Sequence, residues 1–495
     1  MDTLLRHLDA WRPFRALVVG DFMLDELVYG DAERLSADAP VPVLRVRSTE
    51  RTPGGAASLT LDLAAMHGGV AVFGVTGDDT EGRILRDALD KAGVETAGLI
   101  ADSARPTTLK RNLVGLAQQR HPQKMFRVDH ESRDPLGQEA RRRLLSAFDA
   151  ALASADVVCV EDYDKGVCDE AVCREVIRRA TLAGVPVFVD PARIADYSKY
   201  AGASVITPNR NEAEFATGFP TAAAATPEQC VHLAHDLLGR LSCEAVVLTL
   251  DRQGALLLER DAPPVAVPTL ARQVYDVTGA GDMFLAALAA ARANGCSWPD
   301  AVRFANAAAG LEVEVFGTQP IPLRRIHHEL LLRAGAIVGK TRSLEQVAVE
   351  VAARRDQGQT IVFTNGCFDV LHAGHVALLE RAAEMGDFLI VGLNDDESVR
   401  RLKGDARPVN SQDDRARVLG ALAAVGAVVL FTEDTPMRLI EAIRPDVLVK
   451  GADWGRDGVV GREFVESTGG RVELVDLVEG RSTTATLERI RSRDG

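Results

Sequence analysis

The sequence lacks the features that would place it outside the cell or in a membrane. Its seven cysteines are odd in number and form no Cys-x-x-Cys pair, which favours a reducing compartment over a disulfide framework. The N-terminus has no basic start followed by a clean apolar run, so we expect no secretory signal. The longest apolar run, at 421–431, is much shorter than the ~20 residues of a membrane-spanning helix. We therefore expect a soluble, cytoplasmic protein.

An excess of positive charge is also missing. The 495 residues include 57 Lys and Arg against 71 Asp and Glu, a net charge of −14, which is the opposite of a nucleic-acid-binding footprint. Hydrophobic residues make up 46% of the chain and charged residues 26%, ordinary globular values that exclude disorder as the main state. An acidic protein that binds nucleotides has to hold their phosphates locally, with a few Lys residues, backbone N–H groups and a metal ion.

Short apolar runs alternate with amphipathic stretches along the whole chain, which predicts an α/β fold on mainly parallel sheets. One series of such runs extends from 16–20 to 245–250, and a second begins at 360–366 and ends at 472–477. The pattern therefore predicts two domains, at 1–337 and 359–495, separated by a connector and a lead-in helix at 338–358.

The most informative segment of the first domain is Asp276-Val-Thr-Gly-Ala-Gly-Asp282, a turn that leads into an apolar helix. Gly279, Ala280 and Gly281 are small enough to let backbone N–H groups converge at the helix start, where they can stabilise a transferred phosphoryl group. Asp282 would lie beside this anion hole and accept the proton of an attacking hydroxyl. A glycine-rich turn of this kind can also be purely structural.

These residues resemble the C-terminal signature of the ribokinase-like (PfkB) carbohydrate kinases, and the resemblance extends over 14 to about 320. It implies a mainly parallel sheet flanked by helices, with a small β lid that includes 104–130. The family's di-glycine motif is present at 53–58, although Ser58 stands where the family usually has Asn. The resemblance implies sugar binding by Asp21, Asp25, Gly54, Gly55, Ser58, Lys110, Arg127 and Lys165. Isolated charges such as the last three are more often solvated surface.

The segment Thr207-Pro-Asn209-Arg-Asn-Glu212 follows an apolar run and looks like the family's Asn-x-x-Glu motif. That resemblance implies that Asn209 and Glu212 act on Mg²⁺ and ATP, mostly through water, which is reasonable because Mg²⁺ keeps several of its waters. Asn209 could equally cap a helix, with Glu212 completing a capping box. The two roles are compatible.

The second domain opens with Thr364-Asn-Gly-Cys-Phe-Asp-Val-Leu-His372-Ala-Gly374-His375. His372 and His375 at a helix start lie where the phosphates of a nucleotide could bind, and Gly374 keeps the space between them open. The imidazoles could then stabilise the charge on departing pyrophosphate. A zinc site is the alternative, but no third ligand occurs at a recognisable zinc spacing.

This pattern resembles the HxGH signature of the cytidylyltransferase-like nucleotidyltransferases, a Rossmann-like fold, and agreement continues over about 360–495. The resemblance implies catalysis by His372 and His375. The nucleotide-binding residues that it implies are Asn365, Gly366, Phe368, Gly374, Lys403, Lys450, Asp453, Ser482, Thr483 and Thr484. Lys403 read by itself would be one more surface lysine.

The two domains in this order resemble the bifunctional heptose 7-phosphate kinase/heptose 1-phosphate adenylyltransferases of ADP-heptose biosynthesis. The resemblance implies ATP as the co-substrate at both sites, Mg²⁺ as cofactor, and a separate phosphatase between the two steps. Alternatives are a fused enzyme acting on another sugar or polyol phosphate, which Ser58 would favour, and a non-catalytic sensor, which the retention of Asp282, His372 and His375 disfavours. Assembly stays open, with a homodimer as one option.

Overall fold

The computed structural model describes residues 2–116, 123–221, 225–269, 278–314, 319–334, 339–452, 455 and 458–476. The chain divides into two compact units, Met1–Ile326 and His327–Gly495. The division lies within the helix Leu323–Arg333, the whole of which falls in the predicted first domain, 1–337.

The first unit is built on a sheet that has, within the described ranges, nine strands in the order β13-β12-β11-β10-β9-β8-β1-β4-β5. Its pairs are parallel except β11 with β12 and β12 with β13. The strands are β1 Phe14–Gly20, β4 Gly68–Gly77, β5 Glu95–Asp102, β8 Val157–Glu161, β9 Val187–Asp190, β10 Val205–Ile206, β11 Ala245–Thr249, β12 Ala255–Glu259 and β13 Val265–Val267. Since β1, β8 and β9 run in parallel, the residues that follow their carboxyl ends meet at one edge, where such sheets bind ligands.

Helices cover the strands of this sheet, and several begin at a side-chain cap that the sequence supplies. Asp79 and Asp169 accept backbone N–H groups of α3 and α5, and Thr226 forms a capping box with Gln229 at α7, as expected for such residues. The helices are α1 Asp2–Asp9, α2 Ala56–Ala65, α3 Thr80–Lys91, α4 Gln138–Leu152, α5 Glu170–Leu182, α6 Arg210–Thr217, α7 Pro227–Leu241, α8 Ala280–Ala293, α9 Trp298–Glu312 and, across the division, α10 Leu323–Arg333; two 3₁₀ turns lie at Ser198–Tyr200 and Asp251–Gln253.

A separate sheet in the first unit, which has four strands within the described ranges, forms the predicted lid. Its order is β3-β2-β6-β7, with β2 Phe22–Leu35, β3 Pro42–Gly55, β6 Thr108–Gly115 and β7 Gln123–His130. The buried Glu26 on β2 forms ion pairs with Arg51 on β3 and Arg111 on β6. The Glu26 carboxylate therefore connects β2, β3 and β6 through ion pairs.

The second unit has a parallel sheet with the order β14-β17-β16-β15-β18-β19 among its described residues. The strands are β14 Thr341–Arg342, β15 Ile361–Gly366, β16 Phe388–Asn394, β17 Ala427–Phe431, β18 Val447–Gly451 and β19 Arg471–Val475, and the helices are α11 Leu344–Arg355, α12 Ala373–Ala383, α13 Asp396–Lys403, α14 Gln412–Ala421, α15 Met437–Ile443 and α16 Arg462–Ser467. Val347 and Val351 of α11 belong to the core of this unit. Helix α11, predicted as a lead-in helix, is thus packed into the second fold.

The predicted α/β class is confirmed. Among the described helices, none has the length and apolar character needed to span a membrane.

Candidate active sites

Asp282 lies in the first turn of α8, at the edge of the main sheet where β1, β8 and β9 end. Gly279 is the N-cap residue, with φ 89°, a left-handed conformation that favours glycine. Gly281 is exposed, while Asp282 is 4% exposed. The unpaired N–H groups of this first turn and the Asp282 carboxylate therefore share one end of the helix.

Burial raises the pKa of Asp282 to about 7. The Tyr163 hydroxyl donates a 2.6 Å hydrogen bond to its Oδ1, and this bond, the charge of Lys110 and a hydrogen bond from Ser58 act in the opposite direction. A carboxylate balanced in this way can act as a general base near neutral pH. Ser58, the departure from the family pattern, contacts the base directly.

Two further acids, the buried Glu161 and the half-buried Asp190, were missed from the sequence. One carboxylate oxygen of each lies within 4.8 Å of one another and of an Asp282 oxygen. Burial, followed by the charges of neighbouring carboxylates, raises the pKa of both Glu161 and Asp190 well above the usual range. Both acids are the last residues of apolar parallel strands, a position that could have identified them.

Gly54 and Gly55 allow the backbone to approach Asp25 and the end of β1. A Cβ at Gly54 would lie 2.3 Å from Asp25 Oδ2, and Gly55 has φ 56°. Burial raises the pKa of Asp25, whereas Lys110, Lys124 and Arg127 lower it. The predicted sugar residue Asp25 is therefore surrounded by lid cations.

Asp21 is 1% exposed and accepts backbone N–H groups of the loop after β8. Its carboxylate accepts from Tyr163 at 2.9 Å, Lys165 at 3.1 Å and Val167 at 3.2 Å. Burial raises its pKa to about 6. Asp21, expected to contact the sugar, thus fixes a loop, and its distant partners could not be read from the sequence.

The three predicted lid and loop cations have different surroundings. Lys110 on β6 lies 4.5 Å from the centre of the Tyr163 ring. Arg127 on β7 pairs with Asp129 at 2.8 Å, and the Lys165 ammonium pairs with Glu131 at 2.6 Å. The charge of Lys110 also lowers the pKa of Asp282, the predicted base.

Asn209 and Glu212 form the capping box at the start of α6. The Asn209 side chain accepts the Glu212 N–H at 3.0 Å, and Glu212 Oε2 accepts the Asn209 N–H at 2.8 Å. Burial raises the pKa of Glu212, and its carboxylate in turn raises that of Asp190. The capping alternative is confirmed, and it is compatible with a role at a hydrated ion.

In the second unit, His372 is the N-cap residue of α12 and His375 lies in its first turn. The two rings stack with centroids 3.8 Å apart, and the Phe368 ring lies 5.2 Å from that of His375. Phe368 has φ 42°, so the loop after β15 turns sharply before the helix. Gly374 is buried between the two histidines.

Burial, His372 and Lys403 lower the pKa of His375 to about 4. His375 is therefore neutral at neutral pH and can donate through one ring nitrogen to a phosphate oxygen. Within the described ranges, no third Cys, His or carboxylate joins the two rings as a metal cluster.

Lys450 and Lys403 approach the same loop from β18 and α13. The Lys450 ammonium donates to the Asn365 carbonyl at 3.1 Å. Gly366, with Asn365 at the end of β15, faces the Phe368 ring, which would lie 3.2 Å from a Cβ there. These predicted nucleotide residues therefore surround the start of α12 together with the histidines.

Arg415 on α14 was missed from the sequence, although it holds this loop. Its side chain is 1% exposed. Its guanidinium donates to the carbonyls of Cys367 at 2.7 Å and Asn394 at 2.8 Å, and to Asp396 at 2.7 Å. Arg407 similarly pairs with the buried Asp369.

Four predicted nucleotide residues, Asp453, Ser482, Thr483 and Thr484, lie outside the described residues, as does Asp276 of the glycine-rich turn.

Comparisons with known proteins match both units. Residues 15–324 match the pfkB family carbohydrate kinases, and residues 363–489 match the cytidylyltransferase-like family. The chain is 44% identical over 490 residues to a protein of Geobacter sulfurreducens named "Bifunctional protein HldE", covering 99% of this chain and 98% of the relative. A protein of the same name from Gluconacetobacter diazotrophicus is 44% identical over 479 residues, covering 96% and 97%.

Solved structures resemble the first unit in fold. A ribokinase of Arabidopsis thaliana, complexed with ribose and ATP, aligns with a TM-score of 0.52 at 23% identity and covers 64% of this chain and 99% of its own. Phosphofructokinase-2 of Escherichia coli, in complex with substrates and products, aligns with a TM-score of 0.53 at 18% identity, covering 64% and 98%. The predicted ribokinase-like architecture is confirmed.

Proposed function

The chain belongs to the family of bifunctional HldE proteins, and from this premise we propose how its residues divide two reactions. It is a carbohydrate kinase and a nucleotidyltransferase that uses ATP. Its reactions are phosphorylation of heptose 7-phosphate at C1, which gives the 1,7-bisphosphate, and adenylyl transfer from ATP to heptose 1-phosphate, which gives ADP-heptose and pyrophosphate.

In the kinase reaction Asp282 is the general base. It takes the proton from the C1 hydroxyl as that oxygen attacks the γ-phosphorus of ATP, and the N–H groups of Gly279, Ala280 and Gly281 stabilise the charge on the transferred group. The observation that supports this role is the buried carboxylate at the start of α8, with a pKa raised to about 7. Asp25, Gly54, Gly55 and Ser58 would face the sugar, and Lys110 and Arg127 its distal phosphate.

A magnesium ion in the kinase site would be held by Asn209 and Glu212 through water. The fit rests on the chemistry of the two side chains, because the carboxylate of Glu212 and the amide oxygen of Asn209, held together by the capping box, are oxygen groups of the kind that a hydrated Mg²⁺ binds. The ion would neutralise charge on the ATP phosphates.

In the adenylyl transfer His372 and His375 contact the phosphates of ATP. Both imidazoles would donate to phosphate oxygens and stabilise the charge that develops as pyrophosphate leaves. Lys403, Lys450, Asn365, Gly366, Phe368 and Gly374 would complete the nucleotide site, with Asp453 and the Ser482–Thr484 segment.

The assignment of Asp282 is tested by Asp282→Asn, which keeps the shape and removes the proton acceptor. Bisphosphate formation should fall by ~10²–10⁴-fold, while adenylyl transfer to supplied heptose 1-phosphate persists. Normal kinase turnover in the Asn variant would remove Asp282 from this role.

A separate phosphatase should act between the two steps, since the kinase product carries a phosphate at each end of the sugar and the transferase substrate carries one. Mass spectrometry of a reaction with heptose 7-phosphate and ATP should find bisphosphate accumulating, and ADP-heptose only after a phosphatase is added. ADP-heptose formed without it would refute the missing step.

We also propose that the two units fold independently, as a kinase fragment of residues 1–337 and a transferase fragment that starts near 343. Soluble, active fragments would support the domain boundary, and fragments that recover only when expressed together would contradict it.

The cytoplasm is the proposed location, because all seven cysteines are free thiols and a reducing compartment keeps them so. A homodimer is the proposed assembly, which analytical ultracentrifugation would test.

A further inference from the structure

We propose that Tyr163 is a positioning residue of the kinase reaction: it holds the Asp282 carboxylate in the orientation that accepts the sugar proton, and links that orientation to Lys110 of the lid. The proposal rests on the assignment of Asp282 as the base. Tyr163 lies in the loop after β8, two positions before Lys165, and was not itself among the predicted site residues. Three independent contacts support it.

The first contact is the hydrogen bond between the Tyr163 hydroxyl and Asp282 Oδ1, at 2.6 Å. Burial and the neighbouring carboxylates raise the pKa of Tyr163 well above its usual range, so the phenol keeps its proton and always donates. A donor fixed on one oxygen determines the plane of the carboxylate. The remaining lone pairs of Asp282 are then directed by the protein rather than by the substrate.

The hydrogen bond from Tyr163 is important because Asp282 lies close to other acidic side chains. Oxygens of Glu161 and Asp190 lie within 4.8 Å of an Asp282 oxygen. Without the phenol, the Asp282 carboxylate could rotate toward these acids and would no longer face the sugar. Tyr163 therefore competes with the acid cluster for the base.

The second contact fixes the Tyr163 backbone. The Asp21 carboxylate accepts its N–H at 2.9 Å and also holds Lys165 and Val167 of the same loop. Between them, Asp164 has φ 56° and donates its N–H to Asp162 at 2.8 Å. The phenol thus projects from a loop with little freedom to move, as a positioning group requires.

The third contact connects the lid. The Lys110 ammonium lies 4.5 Å from the centre of the Tyr163 ring, within the range of a cation–π interaction. Lys110 belongs to β6 of the lid, and its charge also lowers the pKa of Asp25 and of Asp282. Because Lys110 packs on the Tyr163 ring, the position of the lid would affect the orientation of the Asp282 carboxylate.

The experiment compares Tyr163→Phe with Tyr197→Phe in the full-length protein. Tyr197 is also buried, but its hydroxyl has no hydrogen-bond partner among the described residues, so its loss removes no contact to the base. In Tyr163→Phe we expect kcat of the kinase to fall by about 10- to 100-fold, as for a lost hydrogen bond to a charged group. KM for both substrates should change by less than about threefold, since orientation of the base acts on the transition state.

Tyr197→Phe should keep a wild-type kcat, and adenylyl transfer should be unchanged in both variants. Replacing Tyr163 with 3-fluorotyrosine retains the shape and the hydroxyl donor, so kcat should be close to that of the wild type. If the Phe variant is unstable, the kcat of the fluorotyrosine variant tests the proposal in its place. The proposal is overturned if kcat of the Phe variant stays within about twofold of wild type, if only KM rises, or if Tyr197→Phe loses as much activity. Failure of the base assignment is distinguishable, because an active Asp282→Asn variant contradicts that assignment whatever Tyr163→Phe shows.

Discussion

The imidazole rings of His372 and His375 stack with their centroids 3.8 Å apart and their planes 20° from parallel. The stack results from the start of α12, where the His375 N–H donates to the His372 carbonyl at 2.9 Å. Two cationic rings at this distance would repel each other, and His372 indeed lowers the pKa of His375. His375 is therefore suited to donating a hydrogen bond to an anion as a neutral imidazole.

Replacing either His372 or His375 with Ala should slow adenylyl transfer by roughly 10²–10³-fold, because each removes a donor to the charge that develops in the transition state. Pyrophosphate release from ATP and heptose 1-phosphate is the measurement. Kinase turnover of the same variants is the control and should be unchanged. Single variants that instead lose stoichiometric zinc and unfold would establish a structural metal site.

The two reactions should differ in their dependence on pH. Asp282 works only as a carboxylate, and burial raises its pKa to about 7, so kinase kcat/KM should fall about tenfold per pH unit below that value. The pKa of His375 is lowered to about 4, so its protonation should leave adenylyl transfer flat between pH ~6 and ~8. Rate profiles of both reactions on one preparation are the test. A kinase profile that stays flat down to pH ~5 would contradict the raised pKa.

Site residues whose conformation depends on adjacent residues in the chain could be predicted from the sequence. Asp282 and His375 lie in the first turns of their helices, because the small residues around them specify a turn followed by a helix. Asp21 was assigned to the sugar, since nothing adjacent to it shows that its carboxylate holds backbone N–H groups of a loop more than a hundred positions away. Tyr163 and Arg415 were missed for the same reason, because their partners are distant in sequence.

Arg415→Met should destabilise the second unit by about 3 kcal/mol, because it removes the donor to the buried carbonyl of Asn394 and to the part-buried carbonyl of Cys367. Thermal unfolding should show a lowered transition, and adenylyl transfer should weaken as the loop before α12 loosens. Arg417→Met is the matched control, since Arg417 is exposed on the same helix. Equal stability of the two variants would mean that the guanidinium does not hold the loop.

Ser58→Ala tests whether the residue that departs from the family pattern adjusts the base. The Ser58 hydroxyl hydrogen-bonds to Asp282 and lowers its pKa, because a donor stabilises the charged form. Removing it should raise that pKa and move the acidic limb of the kinase profile to higher pH, so that activity lost at pH ~7 returns at pH ~9. Thr60→Val is the control on the same helix, since the Thr60 hydroxyl donates to the Ala56 carbonyl at 2.7 Å and its loss should leave the limb in place. A limb that does not move in Ser58→Ala, with KM for the sugar raised instead, would assign Ser58 to substrate binding alone.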